Sequence, residues 1–193
     1  MDVPSSAVPS REGHFRLESG YHTTVWLTLD GLFTETASIT PLVDALAVRL
    51  RPYRASAVCG PFVGGAFLAQ LLAVALNVRF FYTQPAPARQ ATGLFRAEYY
   101  LTPELQRRIA GERLAVVDEM ISAGSSVRAT VTAASEAGAS VVVVGALVVL
   151  GDIALRHFAG INMAVEALER RPFPMWTPDE CPLCASGVPL ETP

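Results

Sequence analysis

Hydrophobic positions in this chain change period from one stretch to the next, and the changes mark out its elements. Between Pro41 and Leu50, residues Leu42, Ala45, Leu46, Val48 and Leu50 fall near one helical stripe, with Pro41 suited to the first turn. Ser56 to Gly60 is a short apolar run ending in Gly-Pro, Gly65 to Leu76 has the length and Ala/Leu content of a buried helix, and Val78 to Tyr82 resumes as a strand. Strand, Gly-containing turn, helix and strand in that order form a βαβ unit, which requires a parallel crossover. Further along, Arg113 to Asp118 and Val141 to Val149 are nearly continuous apolar strands of the kind buried on both faces. Between them Ser125 to Glu136 reads as a helix stopped by Gly138. A short helix over Asp152 to Phe158 precedes the run Met163 to Leu168, and the chain from Arg170 onward is Pro-rich with little period. Gln84 to Gly111, interrupted by Pro85, Pro87, Gly93 and Pro103, reads as a long excursion with one hairpin. The alternation predicts an α/β fold, a parallel twisted sheet flanked by helices, with ligands at the carboxyl ends of its strands.

Composition narrows the function classes. The 193 residues suit one compact domain with a short appendage, and 51% apolar against 17% charged residues excludes intrinsic disorder. The run from Val141 to Leu150 is too short to cross a bilayer, so no membrane partner is expected. A net charge of −3 gives no footprint for a nucleic-acid backbone, so no nucleic-acid partner is expected either. All 15 basic side chains are Arg, which removes every mechanism that needs a lysine amine. Met1 to Gly13 has no apolar core of a secretory signal, and Cys59, Cys181 and Cys184 cannot build a dense disulfide framework, so a reducing, cytoplasmic setting is expected.

The segment richest in chemistry is Leu114 to Ser126. An apolar strand runs into two adjacent acids, Asp118 and Glu119, and then into a small-residue turn at the start of a helix. Free amides at that helix start, with the hydroxyls of Ser122, Ser125 and Ser126, can surround a phosphate, and Gly124 permits close backbone approach. Asp118 and Glu119 would repel phosphate but accept hydrogen bonds from sugar hydroxyls or from water on a divalent metal. The combination suits a phosphorylated sugar, whereas a plain helix-capping turn gives no reason for two acids to meet there. A second turn, Val58 to Ala66, ends a strand and opens a helix, so its backbone amides can face a diphosphate.

These residues resemble the phosphoribosyl-diphosphate signature of type I phosphoribosyltransferases. The resemblance implies that fold, with a small hood at residues 1–40, a phosphoribosyl-diphosphate-binding α/β core at 41–170, and a Pro- and Cys-containing tail at 171–193 packed on the core. It implies that Asp118 and Glu119 hold the ribose hydroxyls, that Ser122, Ala123, Gly124, Ser125 and Ser126 hold the 5-phosphate, and that Gly60, Pro61, Phe62, Val63, Gly64 and Gly65 form the diphosphate loop. Gly13 to Thr24 is similar to the opening of orotate phosphoribosyltransferases, and Cys181 to Glu191 to the end of a bacterial and archaeal subgroup of them. Magnesium, a nucleobase acceptor with orotate the leading candidate, and a homodimer are what this narrower likeness implies.

Three departures bear on the acceptor and the chemistry. The loop that covers the diphosphate in orotate enzymes carries lysines and a His-Gly pair, but Thr83 to Glu98 offers only Arg89 and Arg96. Arg89 is the candidate to share a catalytic role with Asp118 and Glu119, by charge and not by proton donation, because guanidinium stays protonated. Glu18 stands where the family often has Lys, and Leu150-Gly151-Asp152 where an Asp-Arg pair often meets the pyrimidine. A non-catalytic sensor of phosphoribosyl diphosphate or a nucleotide, and a transferase for another base, are therefore the competing expectations. Trp26, Phe33, Tyr99 and Tyr100 are candidates to line a base pocket. Cys181 and Cys184 have the spacing of half a zinc site. With no second such pair, and only Cys59, His14, His22 and His157 as other soft ligands, a packed tail is the expected role.

Overall fold

A computed structural model describes residues 10–28, 30–87 and 94–191. The chain opens with an antiparallel hairpin, β1 (Ser10–Arg16) and β2 (His22–Leu27), followed by α1 (Thr36–Leu50). The elements β3 (Ala57–Pro61), α2 (Gly64–Leu76) and β4 (Arg79–Pro85) form the expected βαβ unit, with β3 and β4 parallel. After β5 (Tyr99–Tyr100) and α3 (Pro103–Ile109) come β6 (Arg113–Ile121), α4 (Ser125–Glu136), β7 (Ser140–Leu150), α5 (Ile153–Gly160) and β8 (Val165–Arg171). The tail adds one short turn of helix, α6 (Pro182–Ala185).

Six strands form one sheet in the order β5-β4-β3-β6-β7-β8, parallel throughout except for β5 at one edge. β6 lies inside it, and its residues alternate between two cores, as a period of two requires. Ala115 and Val117 join Leu42, Leu46, Leu68 and Leu72 of α1 and α2, while Leu114 and Val116 join Ile109, Val127, Ala134 and Phe158 on the other face. With both faces covered, an unbroken apolar run is what this strand has to be. Among the described residues no helix is long and apolar enough to cross a membrane.

Three expectations change. α1 begins at Thr36, so Pro41 lies inside the helix and not in its first turn. Its ring removes a bond to the carbonyl of Ala37, and both residues are exposed, so water can take that carbonyl. The excursion holds a helix as well as the β4–β5 pairing: Pro103 occupies the first turn of α3, and the Thr102 hydroxyl accepts from the Leu105 amide at 3.4 Å. β6 continues past Asp118 to Ile121, so the acidic pair belongs to a strand and not to the turn after it.

Candidate active site

β3 and β6 are neighbours, but the chain leaves them in opposite directions, through α2 to β4 and through α4 to β7. Diverging connections leave a crevice at the carboxyl ends of the two strands, the usual ligand position in an open α/β sheet. A cavity of about 300 Å³ opens there. It is lined by Pro61 to Gly65 after β3, by Asp118 and Glu119 on β6, and by Ser122 and Gly124 to Ser126 at the start of α4. Pro61 and Ser122, the first members of the two loops, lie 61 residues apart in the chain, and the sheet register joins them: Cys59 of β3 pairs with Val116 of β6, two residues before Asp118. Gly60 and Ala123 are buried behind this lining. Arg89 lies outside the described residues, and Arg96 is exposed and away from the cavity.

The acidic pair is held by short-range contacts. The Ser126 hydroxyl donates to Asp118 Oδ2 at 2.8 Å, and the Glu119 amide donates to Oδ1 at 3.1 Å. Burial first, and then the neighbouring Glu119 carboxyl, hold the Asp118 carboxyl well above its usual range, against those two hydrogen bonds. Glu119 Oε2 and Ser125 Oγ are buried without a hydrogen-bond partner. Such orphans are uncommon in folded proteins, and here both edge the cavity, where a ligand would satisfy them.

The backbone around the pair is shaped for close approach. Gly124 takes a left-handed φ of +85° just before α4, and no side chain caps that helix, whose first residues line the cavity. On the opposite wall, a Cβ on Gly65 would come to 2.6 Å from Asp118 Oδ1, and one on Gly64 would fall inside the Glu119 carboxyl. The loop is tied to the sheet by the Phe62 amide, which donates to the Thr83 carbonyl at 2.8 Å. Thr83 in turn shares a hydrogen bond of 2.7 Å with Thr130 of α4, both fully buried, so loop and helix start are braced against one another.

The hairpin of β1 and β2 forms the remaining wall with Leu17, Glu18, Ser19, Val25, Trp26 and Leu27. Tyr99 donates to Glu18 Oε1 at 2.9 Å, yet burial outweighs that bond and raises the Glu18 carboxyl above its ordinary value. Of the aromatic candidates, Trp26 and Tyr99 line the cavity. Phe33 packs on Phe67, with ring centroids 5.8 Å apart, and exposed Tyr100 donates to Gln84. Sequence reading missed Phe173, which reaches the cavity from a stretch without hydrophobic period, and Met120, which follows the acids on the same strand.

The donor set fits a hydrated divalent cation or sugar hydroxyls: two carboxyls side by side, one oxygen unpartnered, and no described cation lining the cavity. The uncapped helix start, with its own orphaned hydroxyl, fits an anion.

No family model matches the chain. It is 31% identical over 184 residues to the orotate phosphoribosyltransferase of Thermotoga petrophila, covering 94% of this chain and 90% of that one. In fold it is similar to the crystal structure of orotate phosphoribosyltransferase from Aeropyrum pernix, at a TM-score of 0.62 and 24% identity, covering 86% of this chain and 88% of that one. It is also similar to adenine phosphoribosyltransferase from Thermoanaerobacter pseudethanolicus, at a TM-score of 0.60 and 16% identity over 76% of this chain and 88% of that one. Identity at this level over nearly the full length shows that the chain belongs to the orotate phosphoribosyltransferase family.

Proposed function

We propose that this chain transfers ribose 5-phosphate from phosphoribosyl diphosphate to a nucleobase, orotate first among them, and releases diphosphate. The observation that carries the reading is the pairing of a crowded, partly unpartnered carboxyl couple with an uncapped helix start across one cavity. Asp118 and Glu119 would accept from the ribose hydroxyls, Ser122 to Ser126 would hold the 5-phosphate, and the backbone of Pro61 to Gly65 would face the diphosphate. As the bond from the anomeric carbon to the diphosphate oxygen breaks, its electron pair leaves with diphosphate. The base nitrogen supplies the pair for the new bond and loses its proton to water. Positive charge growing on the ribose is stabilised by the two carboxylates at its hydroxyls. Magnesium on the diphosphate, when bound, supplies charge neutralisation, with the Asp118 and Glu119 oxygens the residues placed to hold its water. Arg89 is assigned to charge cover of the departing group on the resemblance alone. A cytoplasmic homodimer is part of the same reading, and sedimentation of the purified chain would test the assembly.

Incubating the protein with magnesium, phosphoribosyl diphosphate and a panel of bases, while following diphosphate release and calorimetric binding, tests the proposal. Release with one base is the expected result. Heat of binding without release for every base would leave a sensor, and no binding at all would end both readings.

The base itself is where a second reading has support, because Glu18 presents a carboxyl to the cavity and no described Arg lines it. Ionised Glu18 opposes an anionic base, so KM for orotate should rise with pH as the raised Glu18 carboxyl loses its proton, while KM for neutral uracil should not follow it. Glu18→Gln is expected to lower KM for orotate about tenfold, or ~1.4 kcal/mol, and to leave KM for phosphoribosyl diphosphate unchanged. Steady-state kinetics with both bases checks this, and an unchanged orotate KM removes Glu18 from the base side.

A further inference from the structure

The hairpin and the tail meet in a cluster that the transfer reaction does not use. Among the described residues, His14, His22, Cys181 and Cys184 each offer one ligand atom, and the four atoms lie within 4.8 Å of one another. His14 Nε2 is 3.1 Å from His22 Nδ1, 3.4 Å from Cys181 Sγ and 3.7 Å from Cys184 Sγ, and Cys184 Sγ is 3.2 Å from His22 Nδ1. A tetrahedron with metal–nitrogen bonds of about 2.05 Å and metal–sulfur bonds of about 2.3 Å has nitrogen–nitrogen edges of about 3.3 Å and nitrogen–sulfur edges of about 3.6 Å. These four edges match to within a few tenths of an ångström, and the remaining two stay within 4.8 Å.

Hydrogen bonding does not account for the arrangement as well. His14 Nδ1 lies 2.9 Å from the Val188 carbonyl, which can only accept, so that nitrogen carries the proton and Nε2 is left with a bare lone pair. One lone pair is thus approached by three groups at once, more than it can serve. A central cation serves all four, and the bond from Nδ1 to a carbonyl is the usual way a metal-binding His is oriented.

We propose that the chain binds one structural zinc ion through His14 Nε2, His22 Nδ1, Cys181 Sγ and Cys184 Sγ, and that the ion staples the tail to the hairpin that walls one side of the cavity. Two thiolates and two imidazoles favour zinc among the common divalent ions, and a full set of four protein ligands makes the site structural, not catalytic. On binding, each thiol releases its proton to water and gives a sulfur–metal bond. His14, His22 and Cys181 are buried, whereas exposed Cys184 leaves a way in. The backbone already runs tail against hairpin: His22 and Trp176 exchange amide bonds of 2.9 and 3.0 Å, and Phe15 bridges to Glu191. The expectation of a tail that merely packs is therefore extended: the second ligand pair exists, supplied by histidines on two paired strands and not by cysteines.

The test uses the full chain grown with zinc and dialysed against metal-free buffer. Elemental analysis should find about one zinc per chain, and X-ray absorption should show two sulfur and two nitrogen neighbours. Stripping with a strong zinc chelator should lower Tm by roughly 5 °C or more, restored by zinc and not by magnesium. Cys184→Ser, at an exposed position, should weaken zinc binding more than about 100-fold in a competition titration. Less than a tenth of an equivalent of zinc in the zinc-grown wild type, an absorption spectrum without sulfur neighbours, or a Cys184→Ser protein that binds zinc as tightly as wild type would overturn the proposal.

Discussion

Asp118→Asn combined with Glu119→Gln is expected to lower turnover about 100- to 1,000-fold while making the protein without substrate more resistant to heat. The two effects have one cause. In the folded chain the Asp118 carboxyl is buried beside Glu119, and its proton affinity is raised above that of the unfolded chain. A carboxyl raised in this way contributes its full stability only below its unfolded value and loses that contribution as pH rises through the folded one. Above that folded value ionised Asp118 therefore works against folding, and neutral amides remove the cost of burying its charge beside Glu119 while keeping the shape. About 1 kcal/mol of relief corresponds to a rise of roughly 2–4 °C in a chain of this size. Turnover moves the other way, because an amide cannot offer the charge that steadies a ribose becoming positive. Acid should mimic the substitution: affinity for magnesium and phosphoribosyl diphosphate should fall as pH drops through the raised Asp118 value, at higher pH than for an ordinary aspartate. Scanning calorimetry with diphosphate-release kinetics reads both effects. Turnover and affinity equal to wild type in the double variant would sink the assignment of the pair.

What the sequence could disclose follows the distance over which each feature is encoded. The Asp118 to Ser126 cradle is contiguous, so its acids, hydroxyls and left-handed glycine were readable in order, and β6 and β7 announced themselves because strands buried on both faces need unbroken apolar runs. α3 was hidden because Pro103 reads as a breaker when its place is the first helical turn, and only Ile109 of that helix is buried, too little for a visible stripe. Periodicity also says nothing of which strand lies beside which, so the adjacency of β3 and β6 that joins the two loops had to come from the sheet. The His and Cys cluster is the extreme case. His14 and Cys181 lie 167 residues apart, and the half-site spacing of Cys181 and Cys184 has no visible complement until the tail returns along the hairpin. Glu18 was legible as an odd residue, but its raised carboxyl comes from desolvation in the folded chain, against the hydrogen bond from Tyr99, and no local pattern encodes that.

Gly60→Ala should be the most damaging single methyl in the cavity wall, with a loss of about 3 kcal/mol and a Tm lower by about 10 °C. Gly60 sits inside β3, and its backbone needs no special φ; what it lacks is room. A Cβ there would overlap the carbonyl of Gly65 in the first turn of α2 and stand 2.9 Å from the Ala66 amide. Both are backbone atoms of a helix packed on β3, β6 and α1, so the clash cannot be relieved by turning a side chain. The helix must back away, carrying with it the loop proposed to face the diphosphate, and a displacement near 1 Å at such a loop costs about 100-fold in turnover. Gly64→Ala separates the two consequences. The three atoms nearest its Cβ all belong to the Glu119 carboxyl, the far end of a side chain that can swing aside, so stability should change by less than about 1 kcal/mol while turnover falls nearly as far. Thermal melts and steady-state kinetics on the two variants should therefore place them together in activity and far apart in Tm. Equal melting temperatures would mean that α2 yields more readily than its packing suggests, and wild-type turnover in Gly64→Ala would mean that Glu119 is free to leave its position without consequence.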